Sequence, residues 1–188
     1  MINKALVAAN LLERIGRLAK TEEQTGGLYP AQWAVLRYLS RANRFSRTPM
    51  ALTKYLATTR GTMSQTIIAL ERKGYVERRA SETDKRSVNV ELTSSGRDTL
   101  RDDPIINLAA ELKLALGAQT ERFSDQLLAV MAQLVKVQGG QMFGLCKTCR
   151  HFQAGGGATA RNPHRCSLLN VALSEPDSEQ ICVEQEPA

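Results

Sequence analysis

Cysteine is absent from the first 145 residues of this 188-residue chain, and all four cysteines lie within the last 43 residues. Long apolar runs are also missing, since no stretch approaches the roughly 20 apolar residues that a helix needs to cross a bilayer. Glu13 and Arg14 interrupt the N-terminal stretch where a signal peptide would have its apolar region. We therefore expect a cytoplasmic protein without a membrane segment. No Ser/His/Asp or paired-carboxylate constellation supports an enzyme.

Positive charge is concentrated in one internal segment. The whole chain has a net charge of +6, but residues 29–101 contain 14 Lys/Arg against 6 Asp/Glu, a surplus of 8. Residues 141–188 contain 4 Lys/Arg against 5 Asp/Glu, a balance of −1. A basic segment of this kind suits a polyanion, because each Lys or Arg that neutralises a phosphate releases counterions.

Apolar spacing and capping residues predict a mainly helical first part. A helical spacing covers residues 2–20, and Pro30 suits the first position of a second helix. The next two helices are predicted over 49–57, with Thr48 as N-cap, and from Thr58 or Thr59 to Lys73, with Gly74 ending it.

After Gly74 the apolar period changes from about 3.6 to 2. Residues 76–79 and 88–92 then predict a β-hairpin with a charged tip over 81–86. Thr93 suits the N-cap of another helix, and helical spacing continues to Val137. Helices this apolar in so small a domain indicate a partner chain. The predicted fold is a winged helix-turn-helix, mainly α with a small β-hairpin wing, over residues 1–138, followed by a loop-rich module over 139–188.

A winged helix-turn-helix reads DNA with its second helix in the major groove and its hairpin at the backbone or minor groove. The exposed N-terminal side chains of the fourth helix are the candidates for base contact, since Arg suits guanine and Gln suits adenine. The hairpin tip would reach the minor groove, whose negative potential attracts cations. The candidate DNA-binding residues are Arg60, Thr62, Ser64, Gln65, Lys85 and Arg86.

The series Leu70-Glu-Arg-Lys-Gly-Tyr-Val-Glu-Arg78, Asp84-Lys-Arg86 and Leu92-Thr-Ser-Ser-Gly96 resembles the MarR family of bacterial transcription regulators. The resemblance covers roughly residues 3–138. It implies a triangular homodimer, held by the first helix and the last two, on a pseudo-palindromic double-stranded operator. It also implies that Arg86 enters the minor groove while Asp84 positions the wing, and many members of this family respond to a small-molecule effector.

The four cysteines, Cys146, Cys149, Cys166 and Cys182, have the spacing Cys-x2-Cys-x16-Cys-x15-Cys. In a reducing cytoplasm such clusters bind metal or do redox chemistry more often than they form disulfides. Zn²⁺ takes four thiolates and favours the first Cys-x2-Cys, although the second pair is spaced too widely for a standard zinc ribbon. A [4Fe–4S] cluster also takes four thiolates. A dithiol redox pair at the first two cysteines is the third interpretation.

The cysteine spacing, with Phe152 three residues after the second cysteine and Leu168 two after the third, resembles the high-potential iron–sulfur proteins. That resemblance implies an iron–sulfur cluster, with His151 and His164 outside the ligand set. The leading hypothesis is therefore a regulator whose operator affinity is modulated by this cluster, transmitted through the dimer helices that the module follows. The alternative is a structural zinc clamp on a regulator that responds to a small molecule.

Overall fold

The computed structural model describes residues 3–23, 27–80, 88–140 and 142–188. The first part is helical apart from one antiparallel hairpin. In chain order its elements are α1 (Lys4–Glu23), α2 (Pro30–Arg41), α3 (Pro49–Tyr55), α4 (Arg60–Arg72), β1 (Val76–Ala80), β2 (Val88–Leu92), α5 (Ser94–Thr99), α6 (Ile105–Leu116) and α7 (Thr120–Val137). This order confirms the predicted winged helix-turn-helix.

Local side-chain chemistry sets the starts of three helices. The hydroxyls of Thr48, Thr59 and Thr93 each accept a hydrogen bond from a backbone N–H three residues on. Such N-caps satisfy donors that have no partner inside the helix. α3 ends two residues earlier than predicted, because Ala57 takes a left-handed conformation with φ of 47° that the helix cannot include.

The structure explains why two positions that flank the wing, Gly74 and Gly96, are glycine. Gly74 has φ of +74°, a conformation that favours glycine and lets the chain turn from α4 into β1. A Cβ at Gly96 would lie 2.1 Å from the carbonyl oxygen of Tyr75. Only glycine therefore allows α5 to approach the start of the wing so closely.

The core lies between α2, α3, α4 and the wing. The largest fully buried side chains there include Tyr38, Leu36, Leu39, Leu52, Ile67, Leu70 and Val90. Ile181 and Val183 from the end of the chain belong to the same core. Two residues far along the chain, Ile181 and Val183, therefore complete the core of the winged helix.

The C-terminal module (residues 142–188) is built from short strands and turns. Its elements are β3 (Gly144–Leu145), β4 (Phe152–Gln153), β5 (His164–Cys166), β6 (Val171–Leu173), α8 (Glu175–Ser178) and β7 (Ile181–Cys182). β3 pairs with β7, and β4, β5 and β6 form a second antiparallel sheet in that order. The two sheets hold the cysteine-bearing segments side by side.

The remaining helices are poorly covered. Neither α6 nor α7 has a buried residue. The exposed fractions of Leu6, Leu18, Leu114 and Val137 range from 60% to 81%. Within the described ranges, no helix is both long and apolar enough to cross a membrane.

Candidate nucleic-acid interface and cysteine cluster

The N-terminal turn of α4 presents a polar, solvent-exposed face. Met63, Ile67 and Leu70 anchor the opposite face of the helix in the core. The predicted DNA-binding residues Arg60, Thr62, Ser64 and Gln65 are all exposed. The buried and exposed faces of α4 are thus those predicted from the sequence.

Thr62 also takes part in capping α4. Its backbone N–H donates to the Thr59 hydroxyl over 3.2 Å, and the two hydroxyl oxygens lie 2.9 Å apart. The Thr59 cap holds the first turn of α4 in place. Thr62 therefore helps to fix the helix end from which Arg60 and Gln65 project.

The wing pairs β1 with β2 in register from Val76 opposite Leu92 to Ala80 opposite Val88. Its two basic residues on β1 are paired with carboxylates: Arg78 lies 3.4 Å from Glu71, and Arg79 lies 2.6 Å from Glu77. These ion pairs reduce the positive potential of the strands. The predicted contacts Asp84, Lys85 and Arg86 lie outside the described residues and stay predictions.

All four cysteines are buried, and three of them, Cys146, Cys166 and Cys182, belong to one apolar cluster. Cys146 opens a short turn after β3, Cys149 follows that turn, Cys166 ends β5 and Cys182 ends β7. Their exposed fractions are 4%, 9%, 8% and 5%. The Cys146 thiol donates a hydrogen bond to the Cys182 sulfur, and the other two sulfurs also act electrostatically on Cys146. Residues from three separate segments therefore converge.

Hydrogen-bond donors surround three of these sulfurs. Backbone N–H groups of Leu169 and Glu186 donate to the sulfurs of Cys166 and Cys149, each over 3.5 Å. The pKa of Cys182 is lowered to about 6, first by the hydrogen bond from Cys146 and then by donors that include the Glu184 backbone. The same Cys146–Cys182 bond, followed by burial, raises the pKa of Cys146. Donors aimed at sulfur are the outer contacts that tune bound metal clusters.

The sulfur arrangement bears on which metal group fits. Among the described residues, no set of three or more His, Cys, Asp or Glu side chains is arranged to hold a single metal ion. Zn²⁺ and a [4Fe–4S] cluster each take four thiolates. The four buried cysteines supply that number of ligands for either group.

The two histidines lie outside the cysteine cluster, as the sequence predicts. His164 Nε2 lies 2.7 Å from Glu175, its Nδ1 accepts from the Gly155 N–H over 3.3 Å, and its ring packs on Phe152. Both ring nitrogens of His164 are therefore engaged. His151 lies 3.5 Å from Glu186. These contacts stabilise the part of the C-terminal module that surrounds the cysteines.

The C-terminal module docks on the turn between α2 and α3, residues 42–48, which we call the docking loop. Asn43 donates its backbone N–H to the Ile181 carbonyl over 2.9 Å, and the Val183 N–H donates to the Ser46 hydroxyl over 2.8 Å. Phe45 packs against the cysteines. The docking loop thus forms one wall of the cysteine cluster.

A second contact joins the module to α3. Phe143 packs edge-on against Tyr38 of α2 and Tyr55 of α3, with ring centroids 6.2 and 5.2 Å away. Phe143 is only three residues before Cys146. These docking contacts lie on the winged helix, and coupling through the dimer helices stays a prediction.

Sequence reasoning missed Asn43, Phe45 and Ser46. Asn43 and Ser46 are fully buried, and both side chains help to lower the pKa of Cys182. Their positions in a polar turn, more than 130 residues before Cys182, gave no signal of this contact. Only the tertiary fold brings them to the cysteines.

Comparisons with known proteins agree with this architecture. Residues 27–87 match the family model described as MarR family. The chain is 27% identical over 132 residues to the transcriptional repressor MprA of Escherichia coli K12, covering 67% of this chain and 73% of MprA. It is 40% identical over 92 residues to the transcriptional activatory protein BadR of Rhodopseudomonas palustris, covering 47% of this chain and 50% of BadR.

The structure is also similar to that of the multiple antibiotic resistance repressor MarR, at 26% identity and a TM-score of 0.55. This match covers 70% of the present chain and 96% of that protein. The matched family model ends at residue 87, well before the first cysteine. Residues 27–87 thus resemble the MarR family of DNA-binding transcription regulators, and the described part of the chain has the fold of the MarR repressor.

Proposed function

We propose that the chain is a cytoplasmic, homodimeric regulator whose affinity for a pseudo-palindromic operator is set by a [4Fe–4S] cluster bound at Cys146, Cys149, Cys166 and Cys182. The observation that supports this most directly is the convergence of four buried thiols, three of them receiving backbone N–H bonds, against the winged helix. Thiolates in such a setting are ligands for iron.

DNA binding is assigned to α4 and the wing. Arg60, Ser64 and Gln65 project from the capped end of α4, where a helix in the major groove meets base edges. Thr62 lies beside them, and Lys85 and Arg86, with Asp84 positioning the wing, would contact the minor groove. The surplus of 8 positive charges over residues 29–101 supplies the general attraction to phosphates.

A homodimer accounts for the exposed apolar helices. α1, α6 and α7 contact one another, yet their apolar side chains remain open to solvent in the single chain. Exposed apolar surface of this extent marks an interface. A two-fold dimer would place two α4 helices on half-sites about one helical turn apart, which explains a pseudo-palindromic operator.

Assembly or loss of the cluster would change both the charge and the filled volume of the space between the cysteines. With the cluster present, the three cysteine-bearing segments would be tied together at their sulfurs; without it, the strand pairing, the Cys146–Cys182 hydrogen bond and the packing around it remain. Since the winged helix forms one wall of this site, its fit to DNA would differ between the two states.

A structural zinc clamp is the second candidate. Ile181 and Val183, on either side of Cys182, are part of the winged-helix core, so a metal on Cys182 would stabilise the fold itself. Such a protein would respond to a small-molecule effector instead of to the metal.

Metal and sulfide analysis of anaerobically purified protein tests the proposal, combined with DNA binding by holo and apo forms. The DNA is a duplex selected by the wild-type protein from random-sequence DNA. We expect a brown protein with about four iron and four sulfide per chain, from the cluster formula, and at least a tenfold difference in Kd between the two forms. Stoichiometric zinc in a colourless protein would establish the clamp instead.

Cysteine variants separate sensing from DNA binding. Cys182→Ser is expected to lose the cluster and to bind DNA with the Kd of the apo form under all conditions. Ala158→Ser, an exposed change in the same module, is the control and should behave as wild type. If Cys182→Ser kept the holo Kd, the cluster would have no part in regulation, while DNA binding would stand.

A further inference from the structure

The docking loop supplies a polar group that no contact in the described part of the chain uses. Asn43 is fully buried, and its side-chain Nδ2 has no hydrogen-bond partner among the described residues. Its Oδ1, in contrast, accepts from the Phe45 N–H over 3.2 Å and from the Ser46 hydroxyl over 2.7 Å. The amide is thus held rigidly with its donor side unpaired.

The unpaired donor lies at the cysteine cluster. The docking loop bonds to the residues on both sides of Cys182: the Asn43 N–H donates to the Ile181 carbonyl over 2.9 Å, and the Val183 N–H donates to the Ser46 hydroxyl over 2.8 Å. A buried N–H without an acceptor costs free energy, whereas a thiolate bound to iron is a good acceptor. The Asn43 Nδ2 group is therefore placed to donate to the Cys182 sulfur when that sulfur is a thiolate.

The docking loop is also bonded to the wing, and it leads directly into α3. The Val90 N–H of β2 donates to the Arg47 carbonyl over 2.7 Å, and the Asn89 side chain donates to the Arg44 carbonyl over 3.4 Å. The loop ends at Thr48, whose hydroxyl caps α3. One turn of seven residues thus connects the cysteine cluster to the wing and to the helix that supports α4.

We infer that Asn43 is a positioning residue of the cluster site, donating a hydrogen bond to the sulfur of Cys182 in the loaded protein, and that the docking loop transmits the state of the site to the wing and α3 of the same protomer. This inference rests on the proposed function. It assigns the regulation to a path inside each winged helix rather than to a change in how the two protomers pack.

Hydrogen exchange of the wild-type protein tests the path without reference to any variant. On removal of the cluster by a chelator under anaerobic conditions, we expect the amides of Asn43, Val90 and Val183 to exchange at least tenfold faster. The amides in the middle of α7 should change by less than threefold. A change concentrated in α7, with the docking loop unaffected, would overturn the inference and would leave a cluster-dependent regulator intact.

The nearly isosteric variant Asn43→Asp tests the donor. It keeps an oxygen to accept from Phe45 and Ser46 but replaces the N–H donor beside Cys182. We expect a cluster with a more negative reduction potential, since hydrogen bonds to sulfur raise that potential, and a holo-to-apo ratio of Kd that falls toward one. Asn162→Asp, the same change in the Thr159–Asn162 turn, is the control.

The outcomes separate the two ideas. A wild-type protein that takes up no metal refutes the proposed function and this inference together. A wild-type cluster whose potential and Kd ratio are unchanged in Asn43→Asp refutes the inference alone. If Asn43→Asp does not fold, as judged by circular dichroism, Asn43→Ser provides the smaller substitution, and the exchange experiment on the wild type still decides the path.

Discussion

Arg60 stands at the first position of α4, with its side chain in solvent. A guanidinium there can bind the edge of a guanine with two hydrogen bonds or neutralise a phosphate. Arg101 is also highly exposed, 81% by side chain, but it follows α5 and pairs with Asp98. The two arginines therefore allow a matched comparison.

We expect Arg60→Ala to raise the Kd for the selected duplex by about tenfold to a hundredfold, corresponding to the roughly 1–3 kcal/mol of a good base contact. Fluorescence anisotropy at several salt concentrations measures this. A loss confined to the selected duplex indicates a base contact, and an equal loss on all sequences with a shallower salt dependence indicates a phosphate contact. Arg101→Ala should bind as wild type; an equal loss in both variants would argue against a specific role for Arg60.

Single residues also show where sequence-based prediction succeeds. Thr48, Thr59 and Thr93 were predicted as N-caps or N-cap candidates, and each has that role because the bonded N–H is only three residues away. Asn43 could not be found in this way. Its amide meets Cys182, 139 positions later, and no local pattern encodes such a contact.

At the scale of elements, α4 combines a stabilising face and a binding face in 13 residues. The Thr59 cap fixes the end of the helix that we assign to DNA contact. Thr66, about two turns further on, donates its hydroxyl to the Thr62 carbonyl over 2.9 Å, a contact within the helix that contributes little. The same Thr→Ala change at the two positions thus removes a cap in one case only.

We expect Thr59→Ala to lower the free energy of unfolding by about 1 kcal/mol, the usual cost of losing such a cap, and Thr66→Ala to change it by less than about 0.5 kcal/mol. Urea denaturation followed by circular dichroism gives both values. Equal effects at the two positions would show that the cap does not stabilise α4 in the whole protein.

The wing and the module differ in how far the sequence predicts them. Apolar and polar residues alternate in β2, and charged residues separate it from β1 in the sequence, so the range of both strands was predicted almost to the residue. β7 is only two residues long and has no period to detect. It becomes a strand because it pairs with β3 and lies against the docking loop.

At the scale of the whole molecule, α1, α6 and α7 carry most of the exposed large apolar side chains in the described part of the chain. Leu134 of α7 is 53% exposed, and Leu168 in the module is 46% exposed. Only the first belongs to the surface that we assign to the dimer. The similar exposure of the two leucines makes them a matched pair.

Leu134→Glu is expected to convert a dimer, of twice the chain mass of 20.7 kDa, into a monomer, because an unpaired carboxylate cannot be buried at an apolar interface. Sedimentation equilibrium measures the mass. Leu168→Glu should remain a dimer. A wild-type protein that sediments as a monomer at all concentrations would contradict the assignment of these helices.

The separation of the chain into residues 1–138 and 139–188 follows its composition, and that boundary remains a prediction. What composition could not indicate is that the two parts share a core, since Ile181 and Val183 look like ordinary apolar residues in the sequence. The four cysteines could be proposed as one site from spacing alone. The docking loop, which forms one side of that site, is brought to the cysteines only by the tertiary fold.

The shared core has a consequence for synthesis of the protein. A ribosome makes the chain from its N-terminus, and N-terminal domains ordinarily fold while the rest is still being translated. Here Val183, which belongs to the winged-helix core, follows all four cysteines in the chain. The winged-helix core is therefore completed only after the cysteines have been made.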